Sequence, residues 1–300
     1  MGSGTTDRTA ALDEAATGFA SLRGRLFGIA YRMLGSVAEA EDVVQDTWLR
    51  WQATDRDAVL DPAGFLVTTA SRLAINVAQS ARARRETYVG PWLPEPVDTS
   101  ADPALGAERG QALELAVLLL LEALPPAERA AYVLSEAFDY PYAQIADILS
   151  VSEANARQLA SRARRHLANG RRDPAAPSEQ RRLLAAFLAA ARRGEMGVLE
   201  SLLTSDVVSY SDGGGAVRAA GKPVEGVPRV AHFLGAVSRW LWQDAIVTPR
   251  EANGHGAVLI ERDGAPYALL TVGAARDGID RVFWVMNPAK LAAILGAPAR

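Results

Sequence analysis

Cysteine is absent from the 300 residues. Its absence excludes disulfides, thiol catalysis and every Cys-ligated metal site. Histidine is scarce: His166, His232 and His255 are too scattered for a His-based zinc site. No metal and no cofactor is expected. Lysine occurs only at Lys222 and Lys290, so the positive charge is almost all arginine. Long apolar runs are also missing. The longest, Ala116–Leu121 within Ala112–Leu124, is far short of the roughly 20 residues that span a bilayer, and reads as a core helix. The N-terminal stretch Met1–Arg8 lacks the apolar centre of a signal peptide. A soluble, cytoplasmic chain with no membrane partner is expected. Net charge is −3, from 32 Lys+Arg against 35 Asp+Glu. Taken alone, that sum argues against a nucleic-acid partner.

What the chain does contain is enough apolar residue, 49%, to bury ordinary cores. Its length leaves room for two or three domains of roughly 100–150 residues each. Proline marks the borders. Pro91, Pro94, Pro96 and Pro103 fall in Tyr88–Gly110, and Pro174 and Pro177 in Asn169–Ser178. Both stretches have linker composition. The expected division is a first domain over 1–87, a linker over 88–110, a second domain over 111–170, a short linker over 171–178 and a third domain over 179–300.

The first domain reads as helical. Leu22, Leu26, Ile29, Ala30, Met33 and Leu34 follow the spacing of one buried helix face. Gly35-Ser36 interrupts, with Ser36 as the next cap. On the following helix Val43, Val44, Thr47, Trp48 and Trp51 share one side, while Glu39, Asp42, Gln45, Asp46 and Leu49 share the other. Trp48 and Trp51 are therefore read as core. A loop is expected over Ala53–Ala63, then a third helix over about Gly64–Arg85. Leu66, Ala70, Leu73 and Val77 form its buried stripe, with Thr68, Arg72, Asn76 and Gln79 opposite. This polar face runs into Arg82, Arg84 and Arg85 with no intervening acid, which suits a nucleic-acid strand better than plain solvent.

The second domain carries a more specific pattern. Tyr142, Ile145, Ala146 and Leu149 mark a short amphipathic helix. Ser150-Val151-Ser152 makes a turn, with Ser152 capping a longer helix over Glu153–Ala168. Short helix, tight turn and a longer helix with a basic outer face make a helix-turn-helix. Asn155, Arg157, Gln158, Ser161, Arg162 and Arg165 are the candidate DNA contacts. Those near the helix start can reach base edges, and arginines further along can meet phosphates. Arg157 to Arg172 contains no acidic residue.

Together these two domains resemble a bacterial RNA polymerase sigma factor of the extracytoplasmic-function class. Arg25–Ser36 looks like the start of sigma region 2, and Ala38–Trp48 like its polymerase-binding helix. Phe65–Arg85 looks like the helix that melts and holds the minus-ten element, and Tyr140–Leu167 like region 4, which reads minus thirty-five. Trp92-Leu93-Pro94-Glu95-Pro96, Asp212-Gly213-Gly214-Gly215 and Asn287-Pro288-Ala289-Lys290-Leu291 resemble marks of the subfamily with a fused SnoaL-like C-terminal domain. The resemblance implies that Asp42, Gln45 and Asp46 face core RNA polymerase. It implies that Arg72, Asn76, Gln79, Arg82, Arg84 and Arg85 serve the minus-ten DNA, with a flipped base held by the loop Ala53–Ala63. Asn76 and Gln79-Ser80 depart from the residues many relatives carry there. The implied partners are core polymerase and promoter DNA, and the implied role of the third domain is regulation, by docking the linker near Trp92–Pro96.

The third part changes periodicity. Helices are expected around Leu183–Ala191, Gly197–Leu203 and Val230–Leu241. Strands are expected at Asp206–Ser211, Ala245–Arg250, Gly256–Glu261, Tyr267–Val272 and Ile279–Met286, with turns at Asn253-Gly254, Asp263-Gly264 and Asp277-Gly278. The expected fold is thus two all-α sigma domains, a region 2 helical bundle and a region 4 helix-turn-helix, followed by an α+β SnoaL-like cone with a curved antiparallel sheet. Cones of this kind can be isomerases or hydrolases. Asp206, Tyr210, Asp212, Tyr267 and His232 are the residue types such chemistry needs, but no spacing singles one out and no catalytic residue is assigned. A small ligand in the cone is a further possibility. The residues leave two other functions open: a helix-turn-helix regulator that works without polymerase, and a SnoaL-like enzyme fused to a DNA-binding segment.

Overall fold

In the computed structural model, residues 3–99, 114–170 and 172–295 are described. The expected linker beyond Thr99, the first residues of the second domain and Arg171 lie outside them. The chain forms two compact units. One comprises Met1–Ala81 with Leu124–Ala163, the other Arg82–Ala123 with Arg164–Arg300. These units cut across the expected domain borders, because the linker and the helix after it belong with the C-terminal part.

The first unit is helical. It contains α1 (Ser3–Leu34), α2 (Val37–Ala53) and α3 (Pro62–Glu86, to Ala81). Gly35, at φ 64°, ends α1, and the Ser36 hydroxyl accepts the Glu39 N–H to open α2. Only one short 3-10 turn, Arg56–Ala58, lies in the expected loop. Leu26, Ile29 and Leu34 of α1, Val43 and Val44 of α2, and Leu66 and Ala70 of α3 are buried at the positions the period-3.6 pattern selects. Then follow α5 (Pro126–Tyr132), a π-helical turn at Val133–Ala137, α6 (Tyr142–Leu149) and α7 (Glu153–Gly170, to Ala163). Ser150 takes the left-handed conformation between α6 and α7, and the Ser152 hydroxyl accepts the Asn155 N–H. Buried Arg129 donates to the carbonyls of Met33 and Leu124, which ties α5 to the end of α1.

The second unit is built on a six-stranded sheet. Its strands are β1 (Leu203–Asp212), β2 (Val224–Glu225), β3 (Ile246–Ala252), β4 (His255–Arg262), β5 (Ala265–Ala275) and β6 (Gly278–Val285), in the order β2-β1-β6-β5-β4-β3. The sheet is mixed, not wholly antiparallel as expected: β1 runs parallel to β6. The reason is the connection from β1. It leads through β2 and a helix to the far edge, and the meander β3 to β6 then returns alongside β1.

The sheet buries both faces. Val258, Leu270 and Trp284 point into a core with Leu183 and Phe187 of α8 (Pro177–Arg193), Leu199 of α9 (Met196–Leu202) and Leu234 of α10 (Val227–Leu241). Their chain neighbours Ala257, Leu269 and Phe283 point to a second core, with Leu115 of α4 (Leu115–Glu122), Leu291 of α11 (Pro288–Ile294) and Leu93 of the linker. The alternation is the period-2 geometry of a strand. Burying Leu93 completely contributes on the order of 2 kcal/mol to holding the linker there.

Candidate polymerase and DNA surfaces and the linker clasp

The acidic stripe of α2 forms as expected. Asp42, Gln45 and Asp46 are exposed, while Val43, Val44, Thr47 and Trp51 are buried beneath them. Leu49 is also exposed, leaving an apolar spot beside the acids. Such a face suits a basic protein groove.

The polar face of α3 is only partly open. Asn76 and Gln79 are exposed, but Arg72 is occupied. Its Nε donates to the Ile148 carbonyl at 2.8 Å, and its Nη2 to the Asp147 carbonyl and the Ser150 hydroxyl at 2.9 Å. A guanidinium thus caps the carbonyl end of α6, where the helix dipole favours positive charge. Arg84 is exposed, and the side chain of Arg82 lies outside the described residues. Near the other end of α3 a cavity of about 600 Å³ opens between Phe19, Leu22, Trp51, Arg56 and Asp61. Trp51 Nε1 and Arg56 Nη1 are buried there without partners. Trp51 is a core residue, tilted on Phe65, and Trp48 packs on Phe19.

On α7, Arg157, Gln158, Ser161, Arg162 and Arg165 are exposed and Asn155 is half-buried. Ala156, Leu159, Ala160 and Ala163 are buried on the opposite side. Arg157 pairs with Glu153 at 2.7 Å and lies over the Tyr142 ring, and Arg162 pairs with Glu128 at 2.9 Å.

The densest polar network lies in the second unit, around Asp212. Its carboxylate is fully buried and accepts four hydrogen bonds. Tyr88 Oη (2.6 Å) and Gly214 N (3.1 Å) reach Oδ1, while Leu93 N (2.9 Å) and Lys290 Nζ (2.6 Å) reach Oδ2. Lys290 also donates to the Leu93 carbonyl. Asn287 donates to Tyr88 Oη at 2.8 Å and caps α11 through Ala289 N. Burial pushes the Lys290 ammonium below its usual range, opposed by Asp212. Burial and then the Asp212 hydrogen bond push the Tyr88 phenol up. Trp92 lies against Lys290 (4.4 Å) and Arg85 (3.6 Å), and Arg85 also pairs with Glu122. The linker continues on the β3 edge. Val97 exchanges two hydrogen bonds with Asn253, and Thr99 accepts from Gly254 and donates to Glu251.

The glycines are needed where the carboxylate is held. Gly214 has φ +60°, and a Cβ there would lie 2.3 Å from the Asn287 amide; on Gly213 it would lie 2.1 Å from the Val217 carbonyl. Gly215 sits at φ +75° against Val89. All the linker-contacting residues expected from sequence fall in this region. Leu93, Pro94, Pro96 and Leu291 are buried, Trp92, Glu95 and Asn287 half-buried, and Pro288 exposed at the start of α11. Sequence reasoning did not assign Tyr88, Thr99, Asn253 or Arg85 to this network. One signal was available: Lys290 is one of only two lysines, and it follows an apolar strand.

The five candidate catalytic side chains do not converge. Asp206 pairs with Arg172 and Thr204, Tyr210 stacks on Phe283, and Asp212 holds the linker. Tyr267 instead lines a cavity of about 610 Å³ inside the cone, together with Ser211, Phe233, Trp240 and Trp284, and His232 is exposed at a different cavity, beside Arg193 and Glu200. Among the described residues no cluster of three His, Asp or Glu side chains could hold a metal ion, and no helix is long and apolar enough to cross a membrane.

Known proteins align with these features. Sigma-70 region 2 matches residues 19–85, and Sigma-70 region 4 matches residues 114–167. The extracytoplasmic function (ECF) RNA polymerase sigma factor SigJ of Mycobacterium tuberculosis is 39% identical over 291 residues, covering 91% of each chain. A second relative in that organism, the probable ECF sigma factor SigI, is 30% identical over 90% of this chain and 92% of its own. The crystal structure of SigJ superposes with a TM-score of 0.76 at 34% identity, covering 95% of this chain and all of the other. Both promoter-reading regions are matched in order and the alignment runs nearly end to end, so the chain belongs to the ECF RNA polymerase sigma factors, transcription initiation factors and not enzymes.

Proposed function

We propose that the free chain is a closed sigma factor, and that core polymerase opens it for promoter recognition. The observation that carries this reading is Arg72. The side chain expected to face the minus-ten strand is bound to the carbonyl end of α6 in the helix-turn-helix. Arg72 is therefore held on the turn that precedes the recognition helix until the two elements separate. Asp42, Gln45 and Asp46 give polymerase its handle on α2. Once open, Asn76, Gln79 and Arg84 face the minus-ten strand, while Arg85 stays in the clasp on Trp92 and Glu122. The cavity beside Trp51 and Arg56 takes a flipped base, whose unstacking cost of a few kcal/mol must be offset by contacts there. Asn155, Arg157 and Gln158 read minus thirty-five base edges, and Ser161, Arg162 and Arg165 hold phosphates. The clasp at Asp212 fixes the linker and so sets the reach between regions 2 and 4. The residual cavity of the cone takes a small ligand. Polymerase and promoter place this work in the cytoplasm.

The chain has no cysteine, so a dye pair can be placed cleanly at Gln79→Cys and Gln158→Cys. Energy transfer between the dyes should fall when core polymerase is added without DNA. Unchanged transfer would refute the closed form. Run-off transcription with the unlabelled chain should give a promoter-specific start, and none would refute the sigma reading.

A further inference from the structure

We propose that the cavity inside the cone binds a planar aromatic acid, and that its occupancy is transmitted to the linker clasp. The identity of the ligand deepens the reading above and rests on it. At about 610 Å³ the cavity has the volume of a small-molecule site. Phe233, Val237, Trp240, Tyr267 and Met286 give it flat, apolar walls. Two donors remain unused at its wall. Ser211 and Trp284 are among the lining residues, and their Oγ and Nε1 atoms, buried just behind the wall, have no hydrogen-bond partner. Buried donors without partners are costly, so the site calls for an acceptor on its occupant.

Charge decides the rest. Among the described residues no acidic one lines the cavity, while exposed Arg218 stands at its wall. Arg262 lies over the rings of Trp240 (5.3 Å) and Tyr267 (5.9 Å). An anionic head is therefore favoured and a cationic one disfavoured. Aromatic walls, inner donors and arginine on the rim together describe an aromatic carboxylate.

Transmission follows from strand alternation. Ser211 faces the cavity, and the next residue, Asp212, holds the linker. Met286 faces the cavity, its N–H donates to the Asp212 carbonyl at 2.7 Å, and Asn287 follows it in the clasp. A ligand that shifts either strand must move the clasp, since successive side chains point to opposite faces.

The test uses the full chain and two probes, 2-naphthoic acid and its neutral analogue 2-acetonaphthone, followed by tryptophan quenching and calorimetry. Saturable binding with one site is expected. Arg218→Gln should weaken the acid about tenfold, as loss of a charged hydrogen bond does, and the ketone less than twofold. Val237→Trp should abolish both by filling the cavity, and Ser211→Ala should weaken both severalfold in a chain that melts normally. No saturable binding of either probe, or binding indifferent to both Val237→Trp and Ser211→Ala, would overturn the site. Equal effects of Arg218→Gln on the two probes would overturn the acidic class. Run-off transcription with naphthoate should change transcript yield in the wild type and not in Val237→Trp. Unchanged yield despite binding would overturn the transmission. Absence of promoter-specific transcripts in every arm would overturn the sigma reading instead, while the titrations still decide the site.

Discussion

Asp212 shows how one residue can organise a contact 124 residues away in the chain. Its four donors satisfy a fully buried carboxylate, which is the condition under which a buried charge is tolerated. Removing one partner leaves Lys290 as an uncompensated buried cation. Asp212→Asn should therefore lower the stability of the C-terminal unit by about 3–5 kcal/mol in urea unfolding. Tyr88 sets a pH dependence. Its folded phenol titrates above the ordinary value of 10.0, so its contribution is complete below that value and is lost as pH rises beyond it. Lys290 acts in the opposite sense. Its folded value lies below 10.5, so the unfolded chain binds more protons in between and stability rises with pH up to that value. The wild type should accordingly lose stability above about pH 10, and Tyr88→Phe should lose less. Urea midpoints measured on both across the alkaline range decide it, and parallel curves would contradict the assignment.

At the scale of elements, regular periodicity and irregular turns carry different information. Helices α1 to α3 and α7 lie close to where the 3.6-residue pattern places them, because their buried stripes are long. The hairpin turns also follow from sequence: Asn253-Gly254 and Asp263-Gly264 take left-handed pairs, with φ between 51° and 76°. The two-residue strand β2 and the parallel pairing of β1 with β6 were not legible. A two-residue strand has no period, and pairing direction depends on the path of the chain and not on local alternation. The loop after β1 is the most constrained turn. Gly214→Ala should cost about 1–2 kcal/mol from its left-handed backbone alone, and more through the Asn287 amide. A thermal melt no different from wild type would show that the loop can relax.

For the whole molecule, a net charge of −3 conceals surfaces of opposite sign. The acids of α2 and the arginines of α7 lie on different helices, each on an exposed face. Promoter binding by the holoenzyme should weaken steeply with salt, because each arginine on a phosphate releases counterions. Arg165→Ala should reduce the slope of log affinity against log salt by about one, with base preference unchanged. Arg157→Ala should relax base preference at one position of the minus thirty-five element. Fluorescence titrations at several salt concentrations separate these outcomes, and an unchanged slope for Arg165→Ala would remove it from the phosphate contacts.

The sequence alone determined the local order: which segments are helices or strands, which face of each is buried, and where the helix-turn-helix lies. It determined that no switch here can be a thiol. Hydrophobic spacing suffices for these because burial of a face is a local property of the chain. Tertiary structure decided which polar groups meet. It placed Arg72 on the end of α6, and Tyr88 and Leu93 on Asp212 and Lys290. A polar side chain encodes its need for a partner, but the partner is fixed only when distant segments pack, with separations here of 75 to 197 residues.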